Sequence, residues 1–533
     1  MKKALRKLLS LMLAAVLCLS LAAPALAANA GGPQAVALPS QEWQVQVTFP
    51  DWAGYVDDTL AMNSLYSFTG FRDQGVLYVT PDQNVTSFRL FVNNAEVSTS
   101  AMKAGRTWKV DISKLTVDGT NTVQVSAVTP STATVQINVP YPTVISGALD
   151  DVNMDESTID MISDLIDAEV KYGFSGAQLA VIKDGKMVVN QAWGSVSGYR
   201  SDSSRIEPGD SDYVAVTTDT LYDLASNTKM YSVNYALQYM LSHTGYDIAL
   251  DDPITKFFPE FDDAGKTIFK EGTSEADQQQ IYAWKSQLTV RDILMHQAGF
   301  DPDPQYHNDQ FNQVTQTPEA GVENLLFSQD RAVTLSKVLA SPLTYEPGSK
   351  TVYSDVDYML LCFILEQVSG QGLDEFLKQT FWDPMGLTHI TYNPLQNGFT
   401  ANDCAATELD GNHRTDSSGH GRAIDFANCR EGVVQGTVHD EKAYYAMEGV
   451  SGHAGLFSNA EDLAKLASIM LSGGYGDLKF FDKNVIDDFI KPKSTDYPTW
   501  GLGWWRQGNV GRNNYFTTHS SSSTIGHQGW TGT

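Results

Sequence analysis

Apolar and polar residues alternate with a period of two along residues 43–140, with turn-forming residues at short intervals. This alternation is typical of strands that bury one face. Residues 88–92, 108–112 and 135–139 show it most clearly. Short strands at this spacing predict a small, all-β sandwich, which we expect to end near Pro140.

The hydrophobic period changes near residue 150. The next apolar residues recur at helical spacing and predict an amphipathic helix: Ile159, Ile162, Leu165, Ile166 and Val170. Residues 177–182 and 186–193 are then predicted to be strands joined by a hairpin turn at Asp184-Gly185. Helical patterns follow, and the tail is again strand-like. This order predicts an α+β fold, an antiparallel sheet with a helical subdomain, after the sandwich.

Length and pattern together predict at least two domains. We expect a signal peptide over 1–27, a linker over 28–42, the sandwich as an accessory module over 43–145 and the α+β domain over 150–533. The signal has a basic start, an apolar run over 8–23 and a small-residue cleavage site. Its basic residues are Lys2, Lys3, Arg6 and Lys7, and its cleavage site is Ala25-Leu26-Ala27. These features predict an exported protein of the periplasm, the extracellular space or the cell envelope; an uncleaved signal anchor is the alternative.

The charge balance limits the partners. The chain has 36 basic and 63 acidic residues and a net charge of −27. Such acidity argues against nucleic acid and anionic membrane surfaces as partners. No segment after the signal is long and apolar enough for a stable membrane span.

The three cysteines after the predicted signal peptide could be free thiols, disulfide partners or metal ligands. Cys362 lies in an apolar run and is predicted to be a core thiol. Cys404 and Cys429 flank a polar segment and could be bridged in an exported protein, which sequence alone does not decide. A Cys/His metal site is the weaker option because no close cysteine pair exists.

Two Ser-x-x-Lys stretches occur, Ser226 to Lys229 and Ser100 to Lys103. Residues three apart share a helix face, and a serine needs a neighbour that takes its proton to become a nucleophile. Apolar residues after Ser226 repeat at helical spacing, which places Ser226 at a helix N-terminus, where N–H groups favour negative charge. The alternative for Ser226 is a capping serine beside a solvated lysine. Ser100 lies among strands and turns, so we expect a surface loop there.

A tyrosine is the next candidate base. Tyr353 follows the Pro347-Gly348 turn and precedes an apolar helix pattern, a context that aims a phenol into a cleft. Tyr306, in the one Tyr-x-Asn stretch, lies in a loop rich in proline and asparagine, and we prefer Tyr353. A tyrosine acts as a base near neutrality only beside cations such as a lysine. The third element is 526–533, where small residues predict a strand whose backbone is open to a ligand.

Ser226-x-x-Lys229, Tyr353-Ser354 after Pro347-Gly348, and His527-Gln528-Gly529 occur in the order found in serine penicillin-recognising enzymes. Over about 150–533 the chain resembles their class C β-lactamase-like branch, which includes D-alanyl-D-alanine carboxypeptidases and some esterases. The flanking stretches 288–296, 436–441 and 452–458 look most like the penicillin-binding protein 4B group of carboxypeptidases. The resemblance does not extend to the sandwich.

Three departures from the family pattern matter. Asp355 stands where the family usually has asparagine, and its carboxylate could pair with Lys229 and shift the base role towards Tyr353. Gln528 replaces the usual threonine. His527 replaces the lysine of β-lactamases and would be a weaker, pH-dependent anchor for a substrate carboxylate. The chain stops at Thr533 where relatives continue, so we expect a truncated C-terminus that leaves a sheet edge exposed.

The resemblance implies acyl transfer through a covalent serine ester. Ser226 would attack a carbonyl, Lys229 and Tyr353 would handle its proton, and the backbone N–H groups of Ser226 and Trp530 would form the oxyanion hole. Water would then hydrolyse the acyl-enzyme, with Tyr353 as the base. The implied substrate-binding residues are Asp355, His527, Gln528, Gly529 and Trp530.

The implied function is that of an exported serine hydrolase, a carboxypeptidase acting on D-Ala-D-Ala-type peptides of peptidoglycan. A β-lactamase or carboxylesterase of the same fold and a degenerate cell-wall-binding protein are the alternatives. Small amides or esters are further substrate candidates, and β-lactams are possible inhibitors. No cofactor is implied. His296, His439 and His453 are expected to serve packing and hydrogen bonding, with no metal site.

Overall fold

The computed structural model describes residues 32–51, 64–263, 265–312, 317–413, 426–495, 497–509 and 516–532. The predicted signal peptide, 1–27, lies outside the described residues, as does the start of the predicted linker. The chain divides into two compact units. The first comprises the chain up to Thr143 with Gly476–Leu478, and the second comprises Val144–Tyr475 with the chain from Lys479 onward. The sequence-based domain limits remain a prediction.

The first unit contains two antiparallel sheets with orders β1-β7-β4-β9-β2 and β3-β8-β5-β6. Their strands are β1 (Gln34–Val36), β2 (Val45–Phe49), β3 (Tyr66–Gly70), β4 (Val76–Pro81), β5 (Ser87–Val92), β6 (Ala95–Val97), β7 (Thr107–Asp111), β8 (Gly119–Thr129) and β9 (Val135–Val139).

One apolar core lies between these two sheets. Alternate residues of each strand point inward, so that Leu77 and Val79 of β4 and Leu90 and Val92 of β5 are fully buried in the same cluster. In a sandwich, the two inner faces form the core in this way. The three alternating stretches chosen from the sequence correspond to β5, β7 and β9, and the predicted small sandwich is confirmed.

The second unit contains short strands between helices. Its strands are β10 (Ile145–Ser146), β11 (Gly176–Lys183), β12 (Lys186–Gly194), β13 (Tyr222–Asp223), β14 (Phe311–Asn312), β15 (Thr317–Pro318), β16 (Ile390–Tyr392), β17 (Ala406–Glu408), β18 (Val434–Gln435), β19 (Leu456–Ser458), β20 (Gly474–Tyr475), β21 (Leu478–Lys479), β22 (Trp505–Arg506) and β23 (Ile525–Gly526).

Its α-helices are α1 (Glu156–Tyr172), α2 (Tyr235–Ser242), α3 (Ile254–Phe257), α4 (Glu275–Lys285), α5 (Val290–Leu294), α6 (Arg331–Ala340), α7 (Asp355–Ser369), α8 (Leu373–Leu377), α9 (Asp383–Met385), α10 (Ala460–Ser472) and α11 (Lys483–Ile490). Tight helical turns lie at Leu149–Val152, Ala225–Asn227, Pro259–Asp262, Pro394–Gln396 and Ala401–Asp403, and widened turns lie at Lys229–Asn234, Lys378–Trp382 and Lys442–Ala446.

The predicted helix and hairpin after residue 150 are confirmed as α1, β11 and β12. Asp155 caps α1, since its carboxylate accepts the Ser157 N–H. Asp184 and Gly185 both have positive φ, 53° and 72°, as a two-residue hairpin turn requires. Only part of the predicted apolar face of α1 is covered, because Leu165 is 61% exposed.

The strands of the second unit form several small sheets. β11 and β12 pair antiparallel and β10 joins β12 in parallel, while β13, β19 and β16 form a second, antiparallel sheet. Helices lie between these strands in the chain order, and the predicted α+β class is confirmed. At the tail, the predicted strand comprises only its first residue, in β23, because a turn closed by the Gly532 N–H and the Gly529 carbonyl follows.

Helix α7 carries the strongest apolar pattern and is buried along ten of its residues. Cys362 lies within it with no exposed surface, as the sequence predicts. Cys404 is also fully buried and carries a free thiol, so it is not bridged to Cys429. Within the described ranges, no helix has the length and apolar character that crossing a membrane requires.

Candidate active site

The end of β13 aims Ser226 through a strained residue. Ala225 lies in the left-handed region with φ 44°, which a residue with a Cβ rarely adopts. The carboxylate of Asp223 holds this turn: it accepts the Ala225 N–H at 2.8 Å and the His439 N–H at 2.7 Å. Ser226 follows in the tight turn Ala225–Asn227 and is half-buried.

Lys229 lies one turn after Ser226 and is completely buried. Its Nζ donates to Ser226 Oγ at 3.1 Å, to Asp355 Oδ1 at 2.9 Å and to the His453 carbonyl at 3.0 Å. The third contact needs a close backbone approach at Gly452, where an added Cβ would lie 2.2 Å from the Tyr358 carbonyl oxygen. The surrounding helix is less regular than expected, since a widened turn, Lys229–Asn234, precedes α2.

Tyr353 lies beside this pair, just before α7. The Lys229 Nζ is 4.7 Å from the centroid of the Tyr353 ring. Burial raises the pKa of Tyr353, whereas the charge of Lys229 and interactions with the Lys229 and Ser226 side chains oppose that rise. The phenol is therefore protonated at neutral pH and lies next to both groups of the Ser-x-x-Lys pair.

Asp355 and Tyr353 together keep Lys229 charged. Burial acts to lower the pKa of Lys229, but the interactions with Asp355 and Tyr353 together outweigh burial, and the pKa of Lys229 lies above its usual value. Burial likewise acts to raise the pKa of Asp355, yet Lys229 and Lys442 hold it well below the usual range. At neutral pH the site contains an ammonium and a carboxylate, so Lys229 has no free base capacity.

A second buried lysine contacts the same carboxylate. Lys442 is 3% exposed, and its Nζ lies 3.2 Å from Asp355 Oδ2 and 3.6 Å from Asp440 Oδ2. Neither Lys442 nor Asp440 is among the site residues expected from the sequence. Asp440 lies in one of the family-like stretches, 436–441, which was the available signal; Lys442 follows directly after it.

His296 supports the tyrosine from behind. Its ring is 4.4 Å from the Tyr353 ring between centroids, and its Nδ1 is 2.8 Å from Asp357 Oδ2 and accepts the Ser354 N–H at 3.2 Å. Burial lowers the pKa of His296 well below its usual value and raises the pKa of Asp357 well above its own. The pair therefore holds the Tyr353 backbone through hydrogen bonds between uncharged groups.

The tail residues lie near the same point. His527 stacks on Trp505 at 4.5 Å between ring centroids and lies 6.3 Å from the Tyr353 ring. Thr531 Oγ1 donates to the Asp223 carbonyl at 2.7 Å, which ties the tail to the strand before Ser226. Gln528 is exposed, Gly529 is half-buried, and Trp530 is 63% exposed.

Burial of His527 works against the charged anchor expected there. Burial, with the nearby charge of Lys229, lowers the pKa of His527 to about 3. The imidazole is therefore neutral between pH 6 and pH 8, where the sequence argument relied on its titration. The ring packs instead as an aromatic wall on Trp505.

The competing stretches lie outside this site. Ser100 is exposed in a turn, and its Oγ contacts Ser98 Oγ at 3.1 Å. Tyr306 is completely buried, and its Oη pairs with Ser341 Oγ at 2.7 Å. The geometry thus brings together Ser226, Lys229, Tyr353 and Asp355, with His527 at the edge.

A metal does not fit among the candidate ligands. The side-chain atoms of Asp355, Asp440 and His453 lie within 4.8 Å of one another, the one such group in the described ranges. However, the ammonium groups of Lys229 and Lys442 already contact the Asp355 carboxylate. A cation at this place would meet two positive charges.

The Beta-lactamase family model matches residues 162–533, and the chain belongs to that family. A protein of Salmonella agona (strain SL483) named "Putative D-alanyl-D-alanine carboxypeptidase" is 40% identical over 396 residues, which cover 74% of this chain and 83% of the relative. The protein of the same name from Salmonella typhi matches equally, with 40% identity and the same coverage.

Two solved structures match about two thirds of this chain. The octameric penicillin-binding protein homologue from Pyrococcus abyssi is 20% identical, with a TM-score of 0.42; the match covers 66% of this chain and 65% of that one, just under two thirds of its length. The D-amino acid amidase from Ochrobactrum anthropi SV3 is 18% identical, with a TM-score of 0.42 and coverage of 66% and 81%.

Proposed function

We propose that this protein is an exported serine hydrolase that removes the terminal residue from D-Ala-D-Ala-type peptides through an acyl-enzyme on Ser226. One observation carries the proposal: Ser226 Oγ lies 3.1 Å from the Nζ of a fully buried lysine, with the Tyr353 phenol beside both. The curated relatives from Salmonella, named after such a carboxypeptidase activity, support the substrate class.

Tyr353 is the group that moves the proton. Because its pKa is raised and Lys229 is already charged, the phenol accepts the Ser226 proton while its own proton passes to the leaving nitrogen. Ser226 Oγ then forms the ester bond to the peptide carbonyl carbon as the carbon–nitrogen bond breaks and D-alanine leaves. The Lys229 ammonium keeps its proton and stabilises the negative charge that develops on Ser226 Oγ and on the Tyr353 phenol oxygen.

Deacylation uses the same groups in reverse. Water attacks the ester carbonyl, its proton passes to Tyr353, and the phenolic proton returns to Ser226 Oγ. The backbone N–H groups of Ser226 and Trp530 are the proposed oxyanion donors. Thr531 supports this placement because its hydrogen bond to Asp223 holds the tail close to the Ser226 turn.

The test is release of D-alanine from a diacylated Lys-D-Ala-D-Ala peptide by the purified protein, together with covalent labelling by a fluorescent penicillin. We expect stoichiometric labelling and turnover of the peptide, both lost in Ser226→Ala. Labelling on another serine, or D-alanine release that survives Ser226→Ala, would contradict the proposal.

A carboxylesterase is the second candidate, and the neutral His527 favours it. A neutral His527 offers no charge to a substrate carboxylate. An ester that has no carboxylate therefore binds no less well than a substrate that has one. Rapid hydrolysis of p-nitrophenyl acetate that depends on Ser226, with no release of D-alanine from the peptide, would select this alternative.

A further inference from the structure

Lys442 is buried against three carboxylates that come from separate parts of the chain. Its Nζ contacts Asp355, Asp440 and Oδ1 of Asp303. Only Asp355 is shared with Lys229, which takes Oδ1 while Lys442 takes Oδ2. The two lysines therefore bind opposite oxygens of one carboxylate.

These contacts close into a ring. Asp440 Oδ1 lies 2.8 Å from His453 Nε2, the His453 Nδ1 is 2.7 Å from Ser451 Oγ, and the His453 carbonyl accepts from Lys229 at 3.0 Å. A path thus runs from Lys229 through Asp355, Lys442, Asp440 and His453 back to Lys229. Each member of this ring is therefore connected to Lys229 through its contacts in both directions around the ring.

Both lysines stand at the first residue of a widened helical turn, Lys229–Asn234 and Lys442–Ala446. Widened turns of this kind are uncommon and frequent at functional sites. Burying Lys442 is unfavourable unless opposite charges compensate it, and here three carboxylates do so. Lys442 also partly neutralises Asp355. Without Lys442, the full negative charge of the Asp355 carboxylate would act on Lys229.

We propose that Lys442 is a positioning residue: it shares the Asp355 carboxylate with Lys229 and thereby limits the proton affinity of Lys229 and sets its place beside Ser226. This inference rests on the proposed function, in which Ser226 is the nucleophile. The opposite charges of Asp355 and Lys442 nearly cancel, so the pair presents little net charge to Lys229. Lys229 then remains charged without being drawn away from Ser226 by a full negative charge.

Several titratable and charged groups face this cluster from the surrounding elements. They are Tyr353, Asp357, Asp303, Asp440, Glu441, His453, His296, Lys493 and His527. Burial lowers the pKa values of His296 and His527, so these two histidines add no charge near neutral pH. The experiment therefore compares variants that differ only in Asp355 and Lys442.

The direct test follows the Lys229 Nζ by nitrogen NMR in full-length protein with labelled lysine, assigned through Lys229→Met. In Asp355→Asn, burial and the Lys442 charge should bring the Lys229 titration below its usual range. In Asp355→Asn with Lys442→Met, the repelling charge is gone, and we expect the titration to rise by about one pH unit or more. In Lys442→Met, where the Asp355 carboxylate is intact, the Lys229 titration should lie above that of the wild type, and equal titrations in Lys442→Met and the wild type would overturn the proposal.

Acylation by the fluorescent penicillin gives a second readout. Lys442→Met should lower the rate constant about tenfold or more, Lys442→Arg should restore most of it, and the alkaline limb in Asp355→Asn should move to lower pH. Lys285→Met is the matched control: it also removes a fully buried lysine, but one bonded to Thr267 and two carbonyls, so the pH profile should not move. A Lys285→Met profile that shifts as much as that of Lys442→Met would overturn the proposal.

If Lys442→Met does not fold, Asp355→Asn with Asp440→Asn replaces it. Loss of the Asp440 charge should lower the Lys229 titration below that of Asp355→Asn alone, and an unchanged titration would contradict the ring. The NMR arm needs no substrate. A protein that no penicillin or ester acylates, but whose Lys229 titration shifts as described, would refute the proposed function and leave this inference standing.

Discussion

The two Ser-x-x-Lys stretches show that spacing alone does not make a site. Ser100 and Lys103 lie exposed in a turn of the sandwich unit, where the Lys103 carbonyl merely accepts the Trp108 indole N–H at 3.0 Å. Ser226 and Lys229 have the same separation, but Lys229 is buried and bonded to both Ser226 and Asp355. Burial beside a carboxylate, and not the spacing, distinguishes the second pair from the first.

The largest expected effect separates the two serines. Ser226→Ala should abolish covalent labelling by a fluorescent penicillin, because Ser226 is the serine whose Oγ accepts a hydrogen bond from Lys229. Ser100→Ala should leave labelling unchanged. Peptide mass spectrometry of the labelled protein checks this, and an adduct on Ser100 would reverse the comparison.

The next effect separates the two tyrosines. Tyr353→Phe should lower the acylation rate by ~10²–10⁴-fold, the usual contribution of a proton-transfer group. Tyr306→Phe removes a buried hydrogen bond to Ser341 and should cost about 1 kcal/mol of stability with the rate per folded molecule unchanged. Single-turnover kinetics at fixed pH measure both, and similar losses in the two variants would mean that the base is misassigned.

Two fully buried lysines should respond to pH in opposite ways. Burial lowers the pKa of Lys285 to about 7 against the opposing charge of Asp262, so the unfolded chain binds the proton of this lysine more tightly. Lys285 therefore makes stability rise from about pH 7 towards pH 10.5. Its slope is at most about 1.4 kcal/mol per pH unit, and Lys285→Met should remove it.

The ionisation of Lys229 changes stability with pH in the opposite direction. Its pKa is raised, so the stabilisation from its charge is fully present below pH 10.5 and is lost as pH rises through the folded value. Urea unfolding of Lys285→Met and Lys229→Met compares the two lysines over a range that runs from pH 7 to above pH 10.5. A wild-type slope that Lys285→Met leaves unchanged would show that Lys285 keeps its proton in the fold.

A smaller effect concerns His527. Because the pKa of His527 is about 3, the affinities for a carboxylate peptide and its amide should run parallel from pH 6 to pH 8. His527→Lys supplies a charge and should raise the affinity for the carboxylate peptide alone, by about 5–10-fold. Isothermal titration in the Ser226→Ala background measures this, and wild-type curves that diverge at low pH would restore His527 as the anchor.

The smallest effect concerns the sandwich. A chain without residues 28–145 should label with penicillin at the full-length rate within about twofold, because each unit has its own core. Equal labelling with a loss of binding to purified peptidoglycan would assign a separate role to the sandwich. An insoluble excised chain would show that the two units do not fold independently.

Parts of the fold and of the site could be predicted from local sequence patterns. The alternation that placed β5, β7 and β9, and the Asp184-Gly185 turn, depend only on neighbours in the chain, as does the choice of Tyr353 over Tyr306 from its turn and following helix. Lys442 was not accessible in this way, because it carries no local signal: it is a lysine in an ordinary polar stretch that becomes buried only on folding. The state of His527 was likewise missed, since its pKa depends on burial beside Trp505 and Lys229.

By itself, the sequence determined the α+β class, the sandwich, the family and the pairing of Ser226 with Lys229, because these follow from periodicity, turn chemistry and motif order. Tertiary structure alone decided the charges. Asp355 and Lys442 are 87 residues apart in the numbering, yet one carboxylate holds Lys229 and Lys442 on its two oxygens. Charge interactions in a buried site depend on distance and desolvation, and neither is determined until distant parts of the chain have folded together.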